Sequence, residues 1–227
     1  MKVGKTIKQR IIGPLHFWLG LASGLIVFMV AITGGIYVFE GELRSFFYDH
    51  YITIEKSFAN KNKTIAPASQ LLEVAETMIG KGYKANELKL NGPNKSAYVK
   101  FYKLDPTFRD RQFVWYGNNI AYHYRVFLNP HTAQVLKVEN TKWEFFTLVE
   151  SFHTSLLMGP MGTSVISIAI LIFVIMLFTG IVLWWPHNKK ALKMSTWFRW
   201  KRTTKRRRKS YDLHNILGFY VLFPVFI

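Results

Sequence analysis

The chain has 227 residues, half of them hydrophobic, 16% aromatic and 19% charged, a composition too apolar for a disordered protein. It contains no cysteine, which excludes disulfides, thiolate metal sites, iron–sulfur clusters and covalently attached haem. The net charge of +17 invites a nucleic-acid reading, but most of it sits in two short stretches beside long apolar runs. Residues 1–39 carry +4 through Lys2, Lys5, Lys8 and Arg10, residues 40–163 only +3, and residues 164–227 carry +10, with every cation between Lys189 and Lys209.

The first apolar run, Phe17 to Phe39, has no charge over 23 residues. At about 1.5 Å per residue it spans a hydrocarbon core of roughly 30 Å with some tilt. A secretory signal peptide would have a shorter apolar core and a small-residue cleavage site before Glu40 and Glu42, so an uncleaved anchor is expected. Ser164 to Trp185 is equally uncharged and ends in Trp184-Trp185-Pro186, an interfacial aromatic pair followed by a helix stop. A third apolar run begins at Tyr211 and is still apolar at Ile227. It is expected to be the start of a third span, truncated in this chain.

The positive-inside rule puts both basic clusters in the cytoplasm and residues 40–163 outside, in what is expected to be a bacterial inner membrane. The run KRTTKRRRKS then reads as a topology signal that also suits anionic lipid, and no nucleic-acid partner is expected. Within the outer segment, Pro67 to Lys81 has Leu71, Leu72, Ala75 and Met78 at helical spacing, stopped by Gly80 and Gly82. Glu87–Leu90, Ala97–Tyr102, Ala121–Leu128 and Ala133–Val138 read as strands, separated by turn signals that include Asn91-Gly92-Pro93-Asn94. The expectation is an α+β module with one helix against an antiparallel sheet. His50, His123 and His131 within it read as surface or hydrogen-bonded histidines. Trp143–Met158 reads as an aromatic-rich helix, broken at Gly159-Pro160-Met161-Gly162 before the second span.

Two histidines recur in one pattern. His16-Phe-Trp-Leu-Gly20 opens the first span and His214-Asn-Ile-Leu-Gly218 opens the third, each placing a glycine one turn along the same helix face. His16 lies six residues beyond Arg10 and His214 five beyond Lys209, which sets both roughly 8–9 Å inward from the last cytoplasmic charge. Gly20 and Gly218 would leave room for a flat, bulky group. Haem iron takes axial ligands from opposite ring faces, and two imidazoles at equal depth on separate helices suit it. Ionisable groups inside a membrane are functional candidates by default. Arg10 and Lys209 are cations placed to pair with haem carboxylates. His153, at the other end of the bundle, is a candidate ligand of a second haem, and His187 reads as an ordinary interface residue.

These motifs, with Thr33-Gly34-Gly35, Phe152-His153-Thr154-Ser155-Leu156-Leu157-Met158-Gly159, Thr179-Gly180-Ile181-Val182-Leu183-Trp184-Trp185-Pro186 and Asp212-Leu213-His214, make the chain resemble the PepSY-associated transmembrane proteins. That family includes iron-regulated membrane proteins and siderophore-iron reductases. The outer segment is similar to a PepSY module. The resemblance implies a b-type cytochrome with two haem b groups in the full-length protein, His16 and His214 ligating the inner iron and His153 one side of the outer iron. It also implies a cytoplasmic electron donor, such as a flavin or NAD(P)H reductase, and an outer acceptor such as ferric siderophore, which would make the protein a haem-dependent ferric reductase.

The fold class expected is therefore a membrane all-α bundle of three spans with an inserted extracytoplasmic α+β PepSY-like module. The segments are 1–39, 40–142, 143–186, 187–210 and 211–227: first span, outer module, interfacial helix with second span, basic loop, and start of the third span. The rival function is a membrane-anchored binding or peptidase-inhibitory module without redox activity. A transporter fits less well, because the apolar runs hold no series of carboxylates and are too few for an inverted repeat.

Overall fold

The computed structural model describes residues 7–54, 64–92, 94–198 and 200–225. Lys2, Lys5, Pro93, Arg199, Phe226 and Ile227, which enter the sequence expectations above, lie outside them. Contacts divide the chain into two units, Met1–Val27 with Ser167–Ile227, and Phe28–Ile166.

Two helices among the described residues are long and apolar enough to cross a membrane. Helix α1 (Gly13–Val38), extended by a π-helical turn over Lys8–Ile12, gives a span of 29 residues, Arg10–Val38, and α6 (Gly159–Trp184) gives one of 26. Neither buries much of itself in protein. Phe17, Trp18, Leu21, Leu25 and Phe28 on α1, and Ile168, Leu171 and Phe178 on α6, are exposed, as side chains that meet lipid should be. A third span is not shown among the described residues. Helix α8 (Arg206–Val225) begins with Arg206, Arg207, Arg208 and Lys209, and its apolar part from Tyr211 is short for a core of roughly 30 Å.

In the unit Phe28–Ile166, four strands form an antiparallel sheet in sequence order: β1 (Ala85–Lys89), β2 (Ala97–Leu104), β3 (Ile120–Leu128) and β4 (Val135–Asn140). Alternation along β2 buries Ala97, Val99 and Phe101, and its register sets Val99 opposite Val126. Helix α3 (Ala68–Ile79) covers that face, with Leu71 and Ala75 fully buried against Val99, Phe101, Val126 and Leu128. A one-turn helix α4 (Tyr116–Asn119) precedes β3. The opposite sheet face carries Tyr98, Tyr102, His123, Arg125 and Phe127, and the Tyr51 ring of α2 (Glu40–Ile52) meets Phe127 at 4.9 Å.

Helix α2 was not among the expected elements. Its apolar residues follow no clean period, and Glu40 and Glu42 look like the end of a span. In the structure those two carboxylates occupy the first turn, where the helix dipole favours negative charge. The aromatic helix is α5 (Phe145–Ser155), capped by the Glu144 carboxylate accepting from the Thr147 amide at 3.1 Å. It ends earlier than expected: Leu156 and Leu157 take left-handed φ of 50° and 60°, and Gly159-Pro160 opens α6 instead of interrupting the chain before it. The loop before α4 clamps this break, the Tyr116 amide donating to the Leu157 carbonyl at 2.9 Å and the Met161 amide to Gln112 at 2.8 Å.

Candidate functional site

In the unit Met1–Val27 with Ser167–Ile227, α1 and α8 bring His16 and His214 together. Their ring centroids are 6.1 Å apart and their planes are inclined at 69°. Both open onto one cavity of about 600 Å³, whose lining is mostly apolar and includes Gly20, Met176, Gly180, Trp184, Gly218 and Phe219. The Trp184 indole stacks on Phe219 at 4.7 Å and donates to the Ser195 carbonyl at 3.3 Å. Helix α7 (Lys189–Thr196) is thereby tied to α6, and Tyr220 ties α8 to α7 by donating to the Thr196 carbonyl at 3.0 Å.

The two histidines are held differently. His16 Nδ1 lies 2.9 Å from Thr179 Oγ1, and that hydroxyl is 3.1 Å from the carbonyls of both Ile175 and Met176. A threonine in a helix gives its one proton back to such a carbonyl, so its oxygen accepts from His16 Nδ1–H. The lone pair of neutral His16 is then on Nε2. His214 has no hydrogen-bond partner among the described residues, and the aromatic ring it meets there is that of His16.

The pair suits a shared metal. Metal–imidazole bonds run to about 2 Å, so one ion between two rings sets their centres about 6 Å apart. Each ring can turn about its own metal–nitrogen axis, so a 69° inclination is compatible with that. Among the described residues no three His, Asp or Glu side chains gather into a metal cluster. Two imidazoles over an apolar cavity therefore suit a metal that arrives with its own ring of donors, and haem meets that description.

The glycines of the two H-x-x-x-G patterns both line the cavity but are not equivalent. A Cβ on Gly218 would meet open space, whereas one on Gly20 would lie 2.6 Å from the Met176 methyl, the mobile end of a side chain that already occupies that gap. Arg10 and Lys209 line neither this cavity nor its neighbour, and Lys209 sits 5.9 Å from the Trp200 ring. A second, more polar cavity of about 300 Å³ shares Trp184 and Asn215 with the first, and its cations are Lys8 and Arg208, with His187 beside them. Arg208 also pairs with Asp212 at 2.9 Å.

In the unit Phe28–Ile166, His153 on α5 turns its Nδ1 to the Val30 carbonyl at 2.9 Å and to Thr33 Oγ1 at 3.3 Å. A carbonyl only accepts, so Nδ1 carries the proton and Nε2 is again the free nitrogen. His131 Nδ1 faces the Thr64 carbonyl at 3.4 Å, and His50 packs edge-on against Tyr51 at 4.8 Å. His123 departs from the surface or hydrogen-bonded reading. It is 6% exposed and neither ring nitrogen has a hydrogen-bond partner among the described residues. Burial, reinforced by Lys100 and Arg125, pulls it down to about 4.

Thr179, Gly180 and Met176 received no role from the sequence. The available signal was the dipeptide Thr-Gly, which occurs at 33–34 and again at 179–180, each time one span away from a candidate histidine.

Two lipid-compatible helices, an antiparallel sheet module and a histidine-lined cavity between helices define a membrane protein with a folded extramembrane part. The family model for the PepSY-associated TM region matches residues 14–227, and the chain belongs to that family. No curated protein matches it.

Proposed function

We propose that this protein is a b-type cytochrome that carries electrons across the membrane. His16 and His214 would hold one haem through their Nε2 atoms, and His153 would supply one ligand of a second. When bound, haem contributes reversible one-electron exchange at its iron. The single observation that carries this reading is the 6.1 Å ring separation of His16 and His214, both of which line one apolar cavity. An anchor that merely tethers the sheet module has no use for two imidazoles there, since such groups are costly within a bilayer.

The surrounding residues have separable tasks. Thr179 fixes the His16 proton on Nδ1, the stacked Trp184 and Phe219 rings give the cavity an apolar wall, and Lys8 and Arg208 in the adjoining cavity are the cations available to carboxylates of the bound group. The basic clusters would face the cytoplasm of a bacterial cell, with the sheet module outside. A flavin or NAD(P)H reductase would then donate electrons on the cytoplasmic side, and ferric siderophore or a comparable acceptor would take them outside, making the protein a ferric reductase. The test is the reduced-minus-oxidised optical spectrum of the purified protein. Sharp bands of a six-coordinate bis-imidazole haem are expected. A colourless protein that also fails to bind added haemin would overturn the reading and leave an anchored PepSY module.

A further inference from the structure

The two tethered histidines, His16 and His153, lie on different helices and in different units, yet each meets its neighbour in the same way. The Nδ1–Cε1 edge of the ring faces a Thr-Gly step of another helix. At Thr179-Gly180, Thr179 Oγ1 is 2.9 Å from His16 Nδ1, and a Cβ on Gly180 would lie 3.3 Å from His16 Cε1. At Thr33-Gly34, Thr33 Oγ1 is 3.3 Å from His153 Nδ1, with the Val30 carbonyl at 2.9 Å, and a Cβ on Gly34 would lie 2.8 Å from His153 Cε1. Both threonines return their own proton to the helix, Thr179 to Ile175 or Met176 and Thr33 to Met29 or Val30. Each is thus left with acceptor lone pairs beside an imidazole N–H.

We propose that the two Thr-Gly steps are matched cradles that set the tautomer and orientation of His16 and His153, keeping the proton on Nδ1 and presenting Nε2 as a metal ligand. The glycine lets the ring edge approach the helix backbone, and an acceptor beside it fixes the proton: Thr179 Oγ1 for His16, and the Val30 carbonyl with Thr33 Oγ1 for His153. Neither half suffices alone. Without the acceptor the ring is free to exchange tautomers; a Cβ at Gly34 would force the His153 ring to move, and one at Gly180 would crowd His16 by a few tenths of an ångström. A hydrogen-bonded Nδ1–H also raises the donor strength of Nε2, which is how outer partners commonly tune metal-bound histidine. Thr179, Gly180, Thr33 and Gly34 are positioning residues. They act through the imidazoles and need not touch the metal.

The use of these cradles rests on the haem reading, but their geometry is testable without it. Nitrogen-15 NMR of histidine-labelled, haem-free protein in bilayers, assigned by loss of each signal in His16→Ala and His153→Ala, reads the tautomers directly. Both rings are expected as the Nδ1–H form. Thr179→Val should return His16 to a tautomer mixture while Thr179→Ser restores it, and Gly34→Ala should do the same to His153. Titration with haemin provides the second readout, with affinity expected to fall about 10- to 100-fold in Thr179→Val and to recover in Thr179→Ser. Nε2–H rings in the parent protein, or tautomers unmoved by Thr179→Val and Gly34→Ala, would overturn the cradles whatever haemin does. Nδ1–H rings that respond to these variants in a protein indifferent to haemin would support the cradles and refute the haem.

Discussion

The His16 and His214 rings meet edge-on at 6.1 Å, but of the two only His16 is tethered among the described residues, through Nδ1 to Thr179. A ligand held by its outer nitrogen stays in place when the metal leaves, whereas an untethered one must be ordered each time the metal binds. The two alanine variants should therefore differ. His16→Ala should abolish haem retention at this site. His214→Ala should keep a weakened five-coordinate complex on His16, losing affinity by about 10-fold or more and regaining a six-coordinate spectrum with millimolar imidazole. Optical titration of both variants checks this, and equal, unimpaired loading would refute the assignment of the pair.

The sheet module holds a separate titration. His123 stays neutral in the fold down to about pH 4, against an ordinary value of 6.5, because burial and then Lys100 and Arg125 disfavour its charge. The unfolded chain takes up this proton near pH 6.5. Between those limits the unfolded state binds more protons, so the protein loses stability as pH falls through the window, by on the order of 2–3 kcal/mol. His123→Leu should flatten that dependence. It should also leave stability at pH 7 unchanged or raised, since both ring nitrogens lack a hydrogen-bond partner among the described residues. Thermal unfolding of the two proteins from pH 4 to 7 is the measurement, and parallel curves would sink the prediction.

Why some of this was legible in the sequence and some was not is a matter of range. The spans, helix α3 and the four strands are written in hydrophobic period, a local property. Leu71 and Ala75 on one helix face and the Tyr98-Lys100-Tyr102 alternation place them to within a few residues. His16 and His214 could each be placed a few residues from a charged end by counting along the chain, although the π-helical turn over Lys8–Ile12 departs from the even rise assumed for the first helix. The partners of His16 and His153 lie 163 and 120–123 residues away, and no periodicity reports a contact across that distance. The burial of His123 was invisible for the same reason, since the elements that cover its sheet face include the unexpected α2.

Arg44 links α2 to the start of α5. Its guanidinium bonds Glu40 and Glu144, each at 2.6 Å, and lies 4.7 Å from the Phe146 ring, while Tyr48 donates to the other oxygen of Glu144 at 3.2 Å. Burial opposes the Arg44 charge, but the hydrogen bond to Glu40 and the nearby carboxylates outweigh it and hold the guanidinium above its ordinary value. The Arg44 and Glu144 side chains are only 13% and 5% exposed, so removing one strands the other's charge. Arg44→Met should cost about 3–5 kcal/mol, and Arg44→Met with Glu144→Gln should recover most of it. Denaturant unfolding of the full-length protein in detergent reads both. A cost below about 1 kcal/mol for the single variant would mean that water already screens the pair.

Gly218 separates space that matters for folding from space that matters for binding. A Cβ there meets nothing within 4 Å, so a larger residue would grow into the cavity without displacing the surrounding helices. Gly218→Leu should therefore unfold at the same temperature as the parent, or slightly higher, because it exchanges glycine for a strong helix former in α8. Haemin affinity should nevertheless fall by at least about tenfold, since the added isobutyl group takes volume next to His214 that a bound ring would need. Gly218→Ala should retain most of the binding. Differential scanning calorimetry paired with haemin titration distinguishes the two effects. If the leucine variant binds haemin as the parent does, the ligand does not occupy the side of the cavity that α8 lines.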